Sequence, residues 1–329
     1  MIRTKLTEML HIQYPIVQAG MGLVADVNLT AAVSEAGGLG ILGSYTRAPD
    51  ELRNDIREVR ARTDRPFGVN LVTGDPLEKE YSRIVMEERI PVISHGRGNP
   101  AWLIEASREH GLISIPTVGT LAHALRAQQD GADAIVIQGA EAGGHTGTVG
   151  SIVLLPLVAS RVSVPVIAGG GFCDGKGLAA ALALGAEGIY MGTMFSLTRE
   201  SPLHQSVKEL YLEASEEDTA VTTLLTGKPC RFIRNEMLQA ALAQAEAQRN
   251  RPSTEPQTGA SYGDLAKIAR AGDRFRASLL EGDRSAGGMP GGQVVGRIDH
   301  IPSCQELIER TMNEAEEAIG RLASQTRWS

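Results

Sequence analysis

Cysteine is scarce in this chain. Three residues, Cys173, Cys230 and Cys304, stand far apart and show no metal-ligand spacing, which excludes a disulfide framework and a zinc site and predicts no metal. A reducing, cytoplasmic setting follows as an expectation. Aromatic residues are few, at 4%, and no block of lysine or arginine offsets a net charge of −7. Nucleic acid and anionic membrane surfaces both demand concentrated positive charge, so neither is expected as a partner. The first residues, MIRTKLTEMLHIQYP, lack an apolar h-region, and no run of about eighteen uncharged apolar residues occurs anywhere. Neither a signal peptide nor a spanning helix is predicted. The expected partner is a small molecule, bound by a monomer or homodimer.

Glycine, by contrast, is abundant, with 37 residues in 329. Many of these glycines close short apolar runs. The runs are Ile16 to Ala19, Leu39 to Leu42, Phe67 to Leu71, Val92 to Ser94, Leu112 to Ile115, Ala134 to Ile137, Val166 to Ala168 and Gly188 to Met191. Between them lie segments of helical periodicity: 29–35, 49–61, 77–88, 101–110, 121–129, 152–160 and 177–184. Alternating β and α units in this rhythm predict a parallel sheet, and eight of them favour an α/β fold of the (β/α)8 TIM barrel type over an open sheet. In a barrel the glycine-rich strand ends gather on one face, where ligands bind. Glycine also serves ordinary βα turns, so no single position decides the matter.

After residue 201 the texture changes. Helices are predicted over 203–217, 232–250, 261–271 and 274–280, with a polar linker at 251–259. The division expected is a barrel over 1–201, a smaller, mainly helical domain or lid over 202–284, and a return over 285–329. That return holds the glycine-rich loop SAGGMPGGQVVG, then a helix with a Ser303/Glu306 capping box and a stripe of Ile308, Met312, Ala315 and Ile319.

The stretch IVIQGAEAGGHTGTVG, residues 135–150, concentrates the chemistry. A buried strand ends at Gln138 and gives way to a permissive loop that carries His145, well placed for proton transfer or hydrogen bonding to a ligand. Two stretches suggest a nucleotide-like cofactor. Ala168 to Gly175, with Gly170 and Gly171, leaves one strand and opens a helix whose bare amides can face a phosphate; Met191, Gly192 and Thr193 end the next strand. This pattern alone does not separate FMN from a phosphorylated substrate. Gly20, Met21 and Gly22 offer a soft, closely approachable surface for a flavin ring, and Asn70 and Gln138 carry carboxamides suited to its mixed edge. The alternative for both carboxamides is strand-end hydrogen bonding. His95 and Thr117, also at strand ends, are further candidates for the pocket wall. Glu141 is a candidate to orient His145 or its loop, and Gln293 to reach the ring.

The motifs PIVQAGMG (15–22), AGGLGILG (36–43), PFGVN (66–70), QGAEAGGHTG (138–147), PVIAGGGFCDG (165–175) and GAEGIYMGT (185–193) resemble those of the nitronate monooxygenases, also called 2-nitropropane dioxygenases, and of the related flavin-dependent enoyl-acyl-carrier-protein reductases. The resemblance implies an FMN-dependent oxidoreductase. Gly22, Asn70, Gln138 and Gly143 fall at flavin-contacting positions, Gly170, Gly171, Met191, Gly192 and Thr193 at phosphate-side positions, and His145 at the catalytic histidine. The leading expectation is oxidation of alkyl nitronates with dioxygen to a carbonyl compound and nitrite. Reduction of an enoyl thioester or a quinone with NAD(P)H as electron donor is the alternative. The quinone reductase branch differs at two positions, with lysine where this chain has Thr117 and aspartate where it has Gln138. A non-redox barrel, an isomerase or aldolase, would want a strand-end lysine, for which Lys176 is the nearest candidate.

Overall fold

The computed structural model describes residues 2–249 and 265–325. In chain order the strands are β1 (Ile16–Gln18), β2 (Gly40–Gly43), β3 (Phe67–Val72), β4 (Val92–Gly96), β5 (Ile113–Val118), β6 (Ile135–Gln138), the two-residue β7 (Gly144–His145), β8 (Val166–Gly169), β9 (Gly188–Met191), β10 (Thr219–Thr222), β11 (Cys230–Ile233) and β12 (Met289–Pro290). All eight predicted barrel strands are present. They pair in parallel in the order β1, β9, β8, β6, β5, β4, β3, β2. A bridge between Val17 and Leu39, with Gln18 N donating to Leu39 O at 3.0 Å, brings the ends together. The buried Gln18 side chain reinforces this seam, accepting from Ile41 N at 2.9 Å and donating to Ile41 O at 3.2 Å.

Strand pleating sorts the core into two layers. Val17, Leu39, Ile41, Val92, Ile115, Val136 and Ile167 fill the barrel interior. Leu42, Val69, Leu71 and Ile93 pack in an outer cluster with Leu52, Ile56, Tyr81 and Ile84 of the surrounding helices. His95 shares the outward side of β4 with Ile93, where its Nε2 bonds Ser114 Oγ at 2.8 Å and burial drives its imidazole down to about 3. It does not line the pocket, contrary to expectation. A pleat period of two sends Ser94 inward and its neighbour out.

A short helix, Lys5–Leu10, was not anticipated, because six residues are too few to display a periodicity. Its Leu6 and Leu10 join the interior cluster, and Thr4 and Thr7 form its capping box. The seven predicted barrel helices are all found, within two residues at each end. Among the described residues no helix is long and apolar enough to cross a membrane.

Beyond the barrel the structure corrects the sequence reading. Helices occur at Gln205–Glu213, Glu236–Arg249 and Leu265–Leu279, but β10, β11 and β12 form an antiparallel sheet among them. Cys230–Ile233 overlaps the stretch predicted as helix from 232; four residues, with Phe232 and Ile233 both inside, are too few to show a strand period against the alanine-rich run that follows. The linker at 251–259 and residues 261–264 lie outside the described residues. The final helix, Cys304–Gln325, has the expected capping box, with Ser303 N donating to Glu306 Oε2 at 2.8 Å and Glu306 N to Ser303 Oγ at 3.2 Å. It packs on the helices Gly175–Ala183 and Val27–Glu35. Its stripe ends at Ala315; Ile319 is exposed.

Candidate active site

One large cavity of about 740 Å³ opens at the C-terminal ends of the barrel strands. It collects Gly20, Met21, Gly22, Asn70, Thr117, Gln138, Gly143, His145, Gly170, Gly171, Gly192 and Thr193 from separate parts of the chain. Met191 is the exception. Its side chain is wholly buried in the barrel–helix core, and its carbonyl accepts from Ala19 N at 2.9 Å. The residue closes the sheet and does not line the cavity.

His145 is positioned by three elements. Gln138, the last residue of β6, donates through Nε2 to the His145 carbonyl at 2.6 Å. β7 then adds itself to the outer sheet, with His145 opposite Cys230 and Gly144 opposite Arg231. Arg231 reaches back to donate to Ala140 O at 2.9 Å, while its other terminal nitrogen donates to Thr219 Oγ1 at 2.8 Å. The catalytic-candidate loop is thus also an edge of the second unit's sheet, a link that no local sequence pattern announces. Gly144 takes φ of 73°, a left-handed conformation that glycine enters without strain.

The imidazole is neutral over the physiological range. Burial first, then the positive charges of Arg97 and Lys228, push it down to about 4. Its Nε2 is buried without a protein partner. Buried polar atoms are nearly always paired, so an unpaired nitrogen on a residue that lines a cavity is a candidate to meet a ligand. Glu141 does not orient this ring. Its carboxylate accepts from Ser151 N at 3.0 Å and Ser151 Oγ at 3.0 Å, capping the helix Ser151–Ala159. Gln293 is held by its backbone, N donating to Glu141 O at 3.0 Å, and the adjacent Gly292 lines the cavity instead.

The glycine pattern fits a closely held anionic cofactor. A Cβ added at Gly192 would meet nothing nearer than Met21 Sδ at 3.5 Å, and one at Gly171 nothing nearer than Glu141 Cβ at 3.6 Å. Both line the cavity, and a Cβ at either would fit only at contact distance from its neighbours. Thr193 Oγ1 accepts from Gly292 N at 2.9 Å, which leaves the hydroxyl proton to donate to a phosphate. The helix Gly175–Ala183, however, does not offer the bare amides expected of it. Asp174 accepts from Gly177 N at 2.8 Å, and Glu314 accepts from Gly175 N at 3.0 Å. Two carboxylates already occupy that positive end, so the phosphate cradle narrows to Gly170–Gly171 and Gly192–Thr193. Asn70 Nδ2 donates to Ser94 O and Oγ, both at 3.3 Å, as the structural alternative predicted, and still fronts the cavity. Gly20 makes room for it: a Cβ there would lie 2.2 Å from that of Asn70.

A model of the nitronate monooxygenase family matches residues 3–314. The chain belongs to that family. It is an oxidoreductase by that membership, and the family implies a flavin. The chain is 37% identical to a (3aS,4S,5R,7aS)-5-hydroxy-7a-methyl-1-oxo-octahydro-1H-indene-4-carboxyl-CoA dehydrogenase of Rhodococcus jostii, over 98% of each chain. It is 34% identical to a probable nitronate monooxygenase of Staphylococcus saprophyticus, over 72% of this chain and 80% of that one. Among solved structures, FabK from Thermotoga maritima superposes with a TM-score of 0.89 at 37% identity, covering 99% of this chain and all of its own.

Sequence reasoning missed Arg97, Lys228, Tyr190 and Arg231. Tyr190 Oη accepts from Gly20 N at 3.0 Å and fixes the first glycine turn. Arg97 directly follows β4, so its position past a strand end was a usable signal. Lys228 and Arg231 arrive from a distant unit and carried none.

Proposed function

We propose that this protein is an FMN-dependent oxidoreductase acting on the carbon skeleton of an acyl thioester, next to its carbonyl. The observation that carries the reading is the neutral His145 with its unpartnered Nε2 in a cavity that also has an apolar wall from the second unit, including Leu203, Phe275 and Leu279. At about 740 Å³ the cavity lies in the upper half of the range of about 300–1,000 Å³ usual for ligand sites, room for a cofactor and an extended substrate together. The end-to-end likeness to a CoA-thioester dehydrogenase supports the same class.

FMN, when bound, supplies the acceptor or donor of a hydride. Gly170, Gly171, Gly192 and Thr193 would hold its phosphate, and Gly20, Met21, Gly22, Asn70, Gln138 and Gly143 its ring. The lowered pKa of His145 favours one of its two candidate roles. A base titrating near 4 is weak at neutral pH, whereas a neutral imidazole is a competent hydrogen-bond donor. His145 would therefore hold the thioester carbonyl oxygen and stabilise the negative charge that gathers there when the β-carbon of an enoyl thioester takes up a hydride, with solvent water supplying the proton to the α-carbon. Arg97 and Lys228 strengthen that stabilisation through their field.

Anaerobic mixing tests this reading. Loss of the yellow flavin band on adding a saturated acyl-CoA, or recovery of the band when an enoyl-CoA is added to enzyme reduced with NADH or NADPH, is the expected result. A flavin that responds to no thioester in either direction sinks it. A second reading, oxidation of alkyl nitronates with dioxygen to carbonyl compound and nitrite, is supported by the likeness to the staphylococcal relative. There the same neutral His145 would hold a nitro oxygen. Bleaching by a nitronate alone, with nitrite formed on admitting air, is its signature.

A further inference from the structure

Gly20, Met21, Gly22 and Leu23 line the cavity, yet neither a helix nor a strand holds the turn they form. A side chain from elsewhere does. Arg47 does not line the cavity and is only 7% exposed; its Nη1 donates to Gly22 O at 3.0 Å and to Gly43 O, and its Nη2 to Ala25 O at 3.5 Å. Its Nε donates to Asp55 Oδ2 at 2.7 Å, in the helix Pro49–Arg62, and its own carbonyl accepts from the buried Tyr81 hydroxyl at 2.6 Å. Head and backbone of the residue are therefore both fixed before anything binds. A Cβ at Gly43 would lie 2.4 Å from Gly22 O, so glycine there lets the two carbonyls meet one nitrogen.

A buried guanidinium is a poor source of stability, since desolvating the charge offsets much of what its bonds contribute. What it does here is set direction. A trans peptide points its C=O and its N–H to opposite sides, and no peptide of the described chain is cis. With Gly22 O turned to Arg47, the Leu23 N–H points away from the guanidinium. Met21 O accepts from Val24 N at 2.7 Å and from Ala25 N at 3.2 Å, so the Gly22 N–H likewise points away from the interior of the turn. Among the described residues neither amide donates to a protein acceptor. Gly22 has φ of 41°, and successive amides around such a left-handed residue favour an electron-rich partner. We infer that Arg47 is a positioning residue, which sets these two amides as donors to the ligand in the cavity without touching that ligand itself. The inference rests on the FMN reading above, in which the ligand at this turn is the flavin ring.

The test compares Arg47→Met and Arg47→Lys with wild type, first without flavin. The amides of Val24, Ala25 and Gly43, bonded to Met21 O and Ala25 O, exchange roughly tenfold faster in Arg47→Met, while those of β5 and β6, across the barrel, keep their wild-type rates. FMN is then titrated into each protein. In Arg47→Met its Kd rises roughly tenfold or more, the worth of one charged hydrogen bond. Its visible band shifts, and its reduction potential falls because fewer donors stabilise the electron-rich reduced ring. Arg47→Lys keeps the charge without the fork, so it falls between the two in exchange, affinity and potential alike. Should Arg47→Met not fold, Arg47→Lys carries the comparison against wild type. Faster exchange with wild-type affinity and potential makes the residue a structural support only and overturns the inference. Altered affinity or potential with wild-type exchange overturns it too, because the effect then belongs to the charge and not to the turn. If wild type itself binds no FMN, the cofactor reading fails separately. Exchange still decides the role of Arg47 in that case: wild-type rates in both variants sink it, and faster rates leave it standing for whatever ligand the cavity takes.

Discussion

Gln138 Nε2 donates to the His145 carbonyl at 2.6 Å, so the residue that ends β6 fixes the backbone that carries the imidazole. Gln138→Leu removes the donor and leaves a part-buried carbonyl unpaired, at a cost of about 1–3 kcal/mol. Misplacing the ring slows turnover by roughly tenfold to a hundredfold. Steady-state kinetics alongside flavin absorbance check this. Wild-type turnover in the flavin-loaded variant contradicts the positioning role, and loss of flavin itself shows that ring contact is the residue's larger contribution.

Acid pH provides a second check. His145 titrates near 4 and His95 near 3 when folded, against about 6.5 for an unfolded histidine. Between these values the unfolded chain binds protons that the folded chain refuses, so stability falls as pH drops from about 6.5 toward 3 and is regained as pH rises. The two histidines together contribute on the order of a few kcal/mol by about pH 4. Urea midpoints measured from about pH 7 to 4.5 should decline less steeply in His145→Gln than in wild type. Equal slopes would mean that the ring is not shielded as described.

Much of this was legible in the sequence. Eight apolar runs closed by glycine or a polar residue gave the barrel and its functional face, because strand burial and turn chemistry are local. His145, Gln138, Asn70 and most of the glycines could be placed by the same logic. What remained hidden depends on contacts across long separations. β7 is strand only because β11 lies beside it, and Lys228 reaches the cavity only through that pairing. Met191 and His95 failed for another reason. A place at a strand end does not fix which way a side chain faces, and those of Met191 and His95 point into packed layers.

The contact between Gly175 and the last helix yields a stability prediction. A Cβ at Gly175 would lie 2.3 Å from Thr311 O and 2.4 Å from Ala315 N, both in the backbone of Cys304–Gln325. Backbone cannot rotate away as a side chain can. Gly175→Ala therefore forces the helices apart and costs about 1–3 kcal/mol, as overpacking does. Chemical denaturation reads the loss directly. A variant as stable as wild type would show that the final helix does not pack this closely.

Arg231 tests whether the outer sheet governs the His145 loop. Its guanidinium ties Ala140 O at 2.9 Å to Thr219 Oγ1 at 2.8 Å, one bond on the loop and one on β10. Burial lowers its pKa, with the charge of Glu141 opposing, yet a guanidinium remains protonated at any physiological pH. Arg231→Met keeps much of the apolar stem and removes both bonds, at about 1.5–3 kcal/mol for each charged contact broken. Turnover should fall with little change in KM, since the loop that presents the imidazole loosens while the cavity wall persists. Amide exchange in residues 139–147 should accelerate in parallel, whereas exchange in β2 and β3, on the far side of the barrel, should not. Arg231→Lys retains the charge but not the fork, so it restores one contact at most and only part of the rate. If Arg231→Met slows turnover while exchange at 139–147 stays as in wild type, the residue acts on catalysis by some route other than this clamp.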